Sequence, residues 1–366
     1  MVLTRFSRAV SIEYLPAGER APRRWDLAPR FGDSDLSWVA DASPRTLIAY
    51  DGRLPRRVAE SILTPFRELL PDENIIQIEH PKKSLLQARR LWSIMMGIKP
   101  ECVVAIGGGT TTDLVSFAAS CFNRGTPTIL IPTTLLAIVD ASIGGKNGLD
   151  YQRCKNAIGT ISHPMRVSSS MEALETLPCG EYRSGFGEII KFAALFPGKL
   201  MDRLTSIALD ISNPDNCQDA FELVTECAAI KSELVEGTGL GRECMLYGHN
   251  IGHALEVIRK GSRHGECVAI GMAFEGALAV KAGVLSEQRW VEQRHLLRSF
   301  GLPIDIPRGV RMTTLVHAMK RYRLFDGTEF TFIVPCDKGF TRVLVPEDQL
   351  PGLLTELDRW ARSRRG

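Results

Sequence analysis

The first half of the chain alternates two apolar rhythms. Residues 45–52 (RTLIAYDG) form a short apolar run ending in Asp-Gly, a strand entering a turn. Residues 58–70 (VAESILTPFRELL) follow with apolar positions at helical spacing. The same pair recurs as a strand over 74–80 (NIIQIEH) and a helix over 84–97 (SLLQARRLWSIMMG). A buried strand, CVVAI, then stops at three glycines, a helix starts near residue 112 (TDLVSFAASCF), and 126–134 (TPTILIPTT) reads as a further strand. Strand and helix in this order predict a parallel sheet with helices on its faces.

From about Leu174 the strand signals fade. Residues 184–196, 217–235, 244–260 and 266–283 all space their apolar residues as helices do, and 330–345 reads as a small hairpin. The predicted architecture is an α/β domain with a Rossmann-like parallel sheet over residues 1–172. A mostly helical domain over 173–366 follows it. The length, 366 residues, suits two domains.

Composition narrows the classes. Apolar content of 44% and charged content of 24% are ordinary for a globular protein, and a net charge of +3 does not call for nucleic acid. The basic stretches, RAPRR near residue 20 and RWARSRRG at the end, read as solvated tails. Nine scattered cysteines without a CxxC pair argue for free thiols in a reducing, cytoplasmic compartment. No early apolar run marks a signal peptide, and no apolar stretch is long enough to span a membrane.

Two features carry candidate chemistry. Gly107, Gly108 and Gly109 join a strand to a helix N-terminus, where backbone N–H groups can meet an anion. The spacing is not GxGxxG, so a tight turn is the competing reading. Downstream, Thr133, Thr134, Asp140, Ser142 and Lys146 crowd beside further glycines, as in a second anion-facing loop. The other feature is the run LYGHNIGHALE. His249 and His253, four apart, share one helix face, and His264 can enter the same cavity from a following element. A carboxylate, best Glu188, would complete a three-ligand site with an open position, as catalytic zinc has. Taken alone, an HxxxH pair is more often core or surface, and no HExxH protease pattern is present.

Seven segments in order, GGGTTTDLVSF, NRGTPTILIPTTLLAIVDASIGGKNG, KNAIGT, LETLP, SGFGEIIK, YGHNIGHALE and HGECVAIGM, resemble the 3-dehydroquinate synthase family of sugar phosphate cyclases. The resemblance runs from about residue 100 to residue 275. It implies NAD and a divalent metal, Zn2+ or Co2+, meeting in the cleft between two domains. A seven-carbon sugar phosphate would be oxidised transiently, lose phosphate by β-elimination, be reduced again and close by an intramolecular aldol step. It places Glu188, His249 and His264 as metal ligands and His253 near the departing phosphate. Asp140, Lys146, Asn156, Lys191, Lys231 and Arg242 match substrate-pocket positions, and Arg124 matches an arginine reaching a partner subunit's site, hence a homodimer. Asp51, Lys83, Gly108, Gly109, Thr110, Asp113, Thr133, Thr134, Lys146, Lys155, Thr176, Leu177 and Glu181 match cofactor contacts.

Departures bear on substrate choice. Quinate-forming members carry an asparagine three residues before the first metal histidine, and here it is Leu246. The loop between Lys231 and Arg242 is shorter and lacks an acidic residue, Arg323 stands near a lysine position, and His80 with Lys83 replaces an acidic-lysine pair. Arg242 and Lys231 match a carboxylate grip, and His253 is present, which favours the quinate branch. The reading is therefore a 3-dehydroquinate synthase-like cyclase. The alternatives are a natural-product cyclase of 2-deoxy-scyllo-inosose or valiolone type and a metal-dependent polyol dehydrogenase.

Overall fold

The structure is a computed structural model that describes residues 9–16, 19, 22–28, 43–152, 154–196, 198–207, 217–237, 240–321, 326–337 and 339–364. The strands are β1 (Val10–Tyr14), β2 (Arg23–Ala28), β3 (Thr46–Asp51), β4 (Ile75–Ile78), β5 (Cys102–Gly107), β6 (Thr128–Pro132), β7 (Lys146–Tyr151), β8 (Cys154–Ile161), β9 (Arg166–Ser170), β10 (Glu329–Cys336) and β11 (Gly339–Pro346). The helices are α1 (Arg56–Arg67), α2 (Leu85–Ile98), α3 (Gly109–Cys121), α4 (Cys179–Leu195), α5 (Lys199–Ile207), α6 (Cys217–Glu236), α7 (His249–Ile258), α8 (His264–Lys281), α9 (Glu287–Ser299), α10 (Met312–Met319) and α11 (Leu350–Ser363).

The chain divides into two compact units. One comprises Met1–Tyr182 and Pro214–Gly237; the other comprises Arg183–Asn213 and Thr238–Gly366. In this division α6 belongs with the first unit. Lys231 on α6 binds Asp140, and Glu236 accepts a hydrogen bond from Leu15 N at 2.7 Å.

The first unit is α/β. Its sheet runs β1-β2-β9-β6-β5-β3-β4, parallel throughout except for antiparallel β1 at one edge. β5 is almost wholly buried, as a strand covered on both faces must be, which explains its unbroken apolar run. On one face Ile48, Val104, Ile106, Ile129 and Ile131 pack against Val58, Ile62 and Phe66 of α1. Burying a side chain such as Phe66 contributes roughly 2–3 kcal/mol. Ser84 caps α2 by accepting from Gln87 N, and Lys99 ends it in the left-handed conformation.

Two readings of the sequence change here. The last two residues of RAPRR are not tail: Arg23 and Arg24 lie in β2, and buried Asp26 accepts from Arg24 Nε at 2.7 Å and Arg166 Nε at 2.6 Å, while Arg20 and Ala21 lie outside the described residues. The glycine-rich stretch after Ser142 turns at Gly144 and Gly145 and then enters the hairpin β7–β8, in register from Lys146 opposite Ile161. The terminal RWARS belongs to α11, where Trp360 stacks on Trp290 with ring centroids 4.5 Å apart.

The second unit is helical apart from the β10–β11 hairpin. Its centre is α8, buried on nearly all sides, which is why its sequence shows no polar stripe. It packs with α7, α9, α11 and β10. Cys102, Cys121, Cys154, Cys179, Cys227, Cys244, Cys267 and Cys336 are free thiols, and no described helix is long and apolar enough to cross a membrane.

Candidate functional site

In the second unit, α4 and α8 cross at glycine. A Cβ on Gly187 would lie 2.7 Å from Gly265 O, so only bare backbone fits there. This approach sets Glu188, next on α4, against His264, the first residue of α8. The other histidines enter on α7. Its N-terminus is held by Glu275 of α8, whose Oε2 accepts from Gly248 N at 2.7 Å.

Three donor atoms converge. Glu188 Oε1 lies 3.3 Å from His264 Nε2 and 3.8 Å from His249 Nε2, and the ligating atoms of the trio all fall within 4.8 Å of one another. Each imidazole engages an acceptor with its other nitrogen. His249 Nδ1 donates to Tyr247 O at 3.0 Å, and His264 Nδ1 lies 2.9 Å from Glu256 Oε1. The His253 ring stands 4.9 Å from that of His249, edge to face. Lys191, buried one turn along α4, pairs with Glu188 and donates to Met245 O at 3.0 Å.

Charge is divided sharply. Burial pushes Glu188 up, but the Lys191 ammonium and His264 outweigh it and hold the carboxyl at about 2. Burial, then Lys191 and the neighbouring imidazoles, drives His249 well below its usual value. Burial also lowers His264, but Glu256 and Glu188 on either side overcome it and raise the ring to about 9. Glu188 is completely buried: its Oε2 pairs with Lys191, and its Oε1 faces the Nε2 atoms of His264 and His249. A carboxylate oxygen turned toward two imidazole nitrogens is placed to share a cation with them. Two nitrogens and one carboxylate suit zinc or cobalt and leave a coordination position open. The residues fit a catalytic metal.

The first unit gathers a second polar set. Gly107 has φ +154, and a Cβ there would meet Thr111 at 2.8 Å and Asp51 at 2.9 Å. Gly108 caps α3 without any side-chain partner, and a Cβ on it would lie 2.9 Å from Thr134. The start of α3, with Gly109 and Thr110, is thus open backbone of the kind that receives a phosphate or pyrophosphate. Asp51, at the end of β3, accepts from Arg53 Nε at 2.9 Å and Nη2 at 2.8 Å and from Thr111 Oγ1 at 2.9 Å. Glu181 adds to the negative field on Arg53.

Lys83 reaches Asp113 Oδ2 at 2.9 Å and also Asn156 Oδ1. Lys231 donates to Asp140 Oδ1 at 2.6 Å. A small polar recess is lined by Asp113, Ser116, Ser142, Lys146 and Asn147, among others. The buried hydroxyls of Ser116 and Ser142 have no hydrogen-bond partner there. These features fit a dinucleotide and a polar substrate.

The predicted residues therefore fall into groups. Glu188, Lys191, His249, His253 and His264 come together in the second unit. Lys83, Asp113 and Asn156 form one contact group of the first, and Asp140 with Lys231 another. Thr133 is buried, with its N–H on Gly107 O, and Lys155 is half-buried on β8. Thr176 and Glu181 are exposed, and Leu177 is half-buried. Arg124 is exposed at φ +66, after Asn123 at φ +49. The side chain of Arg242, and Arg323, lie outside the described residues. Glu256, Glu275, Arg53 and Ser116 escaped the sequence reading. Glu256 stands three residues after His253 in the same run, and Glu275 is a carboxylate inside an otherwise apolar helix, so both left a signal.

Comparison with known proteins places these groups in context. Residues 74–184 match the family model of 3-dehydroquinate synthase N-terminal, and residues 185–323 match that of 3-dehydroquinate synthase C-terminal. A 3-dehydroquinate synthase of Synechococcus sp. is 34% identical over 325 residues, covering 85% of this chain and 86% of its own. The fold resembles a 2-deoxy-scyllo-inosose synthase complexed with carbaglucose-6-phosphate, NAD+ and Co2+, with TM-score 0.80, 21% identity and coverage of 95% of this chain and 100% of that one. It also resembles a 2-epi-5-epi-valiolone synthase from Streptomyces hygroscopicus with NAD+ and Zn2+ bound, with TM-score 0.79, 24% identity and coverage of 94% and 99%.

Proposed function

Because the chain belongs to the 3-dehydroquinate synthase family, we propose that it is an NAD- and metal-dependent sugar phosphate cyclase. It converts a seven-carbon sugar phosphate to a carbocycle with loss of phosphate, and 3-dehydroquinate is the favoured product. The observation that carries the reading is the buried Glu188 carboxylate. One of its oxygens faces His249 and His264, and the three ligating atoms lie within 4.8 Å of one another, in range of a shared cation.

When bound, NAD supplies a reversible hydride acceptor, and a divalent cation supplies Lewis acidity toward a hydroxyl or carbonyl oxygen. Glu188, His249 and His264 hold the cation. The bare α3 N-terminus with Gly108, Gly109 and Thr110, together with Asp51, Asp113, Thr133, Thr134, Lys155, Thr176, Leu177 and Glu181, holds the dinucleotide. Lys83 fixes Asp113 and Asn156, and Lys231 fixes Asp140, so that these carboxylates and the amide are set before substrate arrives. Lys146 and Lys191 add positive charge for an anionic substrate. His253 serves the departing phosphate with an imidazole proton. Arg242 grips the substrate carboxylate. The enzyme works as a cytoplasmic homodimer. Its free thiols support the compartment. The exposed Arg124, on backbone that a non-glycine residue adopts only under strain, supports a role toward a second subunit.

Leu246 favours one second reading, a cyclase for a sugar phosphate without a carboxylate. Its side chain is half-buried and offers no hydrogen bond. The deciding experiment incubates the protein with NAD, Zn2+ and, separately, a 3-deoxy-heptulosonate phosphate, sedoheptulose 7-phosphate and glucose 6-phosphate. Stoichiometric phosphate release without accumulating NADH supports a cyclase, and the substrate that releases it names the branch. Accumulating NADH without phosphate release would mean a dehydrogenase.

A further inference from the structure

His264 lies between two carboxylates. Its Nδ1 is 2.9 Å from Glu256 Oε1 and its Nε2 is 3.3 Å from Glu188 Oε1. The Glu256 side chain is 1% exposed and that of Glu188 is fully buried. We infer that Glu256 is a positioning residue that selects the nitrogen His264 offers to a divalent cation. The inference rests on the metal reading of Glu188, His249 and His264 and goes a step further, because it assigns a role to a residue outside that trio.

An ionised carboxylate only accepts hydrogen bonds, so the nitrogen facing Glu256 keeps a proton. Nε2 faces Glu188, itself a proposed ligand, so it is the nitrogen that gives up its proton to an entering cation. His249 is set in the same sense by a different acceptor, with Nδ1–H on Tyr247 O and Nε2 toward Glu188. Both rings thus turn the same nitrogen to one point. A carboxylate behind a ligating imidazole also raises its basicity, which strengthens the bond to the metal. Glu256 lies seven residues after His249 on α7, two turns along the same face. One helix therefore supplies a ligand and the group that orients another ligand.

A rival arrangement is on view. His253, Glu256 and His264 also bring donor atoms within 4.8 Å of one another, so Glu256 could itself ligate a second ion. The number of ions bound separates the two roles.

The test measures Zn2+ and Co2+ binding to metal-free full-length protein by chelator competition, at a temperature well below unfolding. Wild type, Glu256→Gln, Glu256→Ala and Glu188→Gln are compared. One ion per chain is expected in the wild type. Glu256→Ala weakens affinity about 100-fold and Glu256→Gln about tenfold, since the glutamine oxygen still accepts from Nδ1–H. The visible spectrum of the Co2+-saturated variants keeps its ligand-field bands, because the ligands are unchanged. A merely structural Glu256 would lower the melting temperature without changing affinity, and that result overturns the inference. Two ions per chain, one of them lost in Glu256→Gln, also overturns it. If Glu256→Ala does not fold, the isosteric Glu256→Gln decides alone. Binding that survives Glu188→Gln undiminished would instead sink the metal centre itself.

Discussion

Gly265 rests directly on Ser184. Its N–H donates to Ser184 Oγ at 3.0 Å, and a methyl group on its Cα would stand 1.8 Å from the Ser184 carbonyl oxygen. Backbone cannot yield as a side-chain tip can, so Gly265→Ala must push α4 and α8 apart. We expect a loss of about 1–3 kcal/mol in urea unfolding. Zinc content should fall as well, since Glu188 and His264 ride on the two displaced helices. Gly352→Ala, where a Cβ meets nothing within 4 Å, serves as the control and should leave both unchanged or raise stability slightly.

Lys191 and Glu188 form a buried pair, and the lysine also donates to Met245 O. Glu188→Gln leaves an ammonium in a dry site with half its compensation. The metal-free variant should lose about 3–5 kcal/mol. Adding Lys191→Met to Glu188→Gln removes the stranded charge and should restore most of that loss, although the double variant binds no zinc. Equal stability of the single and double variants in denaturant titration would show that the pair is not coupled in this way.

Glu275 gives a signed pH dependence. Burial raises its carboxyl to about 8, despite hydrogen bonds from Gly248, Ile251 and Asn250 N–H that pull the other way. Its ordinary value is 4.5, so between about 4.5 and 8 the folded chain keeps a proton that the unfolded chain releases. That contribution to stability is complete below about 4.5 and disappears as pH climbs through 8. The urea midpoint should fall across this window in wild type. Glu275→Gln, which still offers Gly248 an acceptor but does not titrate, should flatten the slope.

The proposed dinucleotide site gives Asp51 a testable role in choosing between NAD and NADP. The two Asp51 oxygens hold Arg53 bidentately at 2.8 and 2.9 Å at the end of the strand next to β5. An acidic group there favours a free ribose 2′-hydroxyl, and it also ties up the one nearby guanidinium that could receive a 2′-phosphate. Wild type should prefer NAD over NADP. Asp51→Asn releases Arg53 and should narrow that preference by about tenfold or more, read from the dissociation constants of both dinucleotides.

The α/β beginning and helical end were legible because periodicity reports burial. β5 is apolar without break since both its faces are covered, and α7 shows its stripe. What escaped was structure whose cause lies far along the chain. β2 was hidden by its arginines, which make sense only beside Asp26 and Arg166. β7 and β8 were hidden by glycines whose narrow space is set by the facing strand, since a Cβ on Gly148 would meet Ile158 O at 2.7 Å. Spacing gathered the histidines, and the resemblance singled out Glu188, His249 and His264, whose donor atoms do converge. The partners of the outer nitrogens could not be named, because whether Glu256 or a carbonyl stands behind an imidazole depends on how helices cross.

The return of α6 to the first unit sets an order of assembly. A nascent chain that has emerged only as far as Tyr182 has its whole seven-stranded sheet but lacks Lys231, the cation that Asp140 binds at 2.6 Å. By the time that lysine arrives, the segment bearing Glu188 has already been synthesised. Cutting the gene at the apparent boundary would therefore strand an acidic side chain. A fragment meant to preserve the α/β unit must be stitched from two separate stretches of sequence.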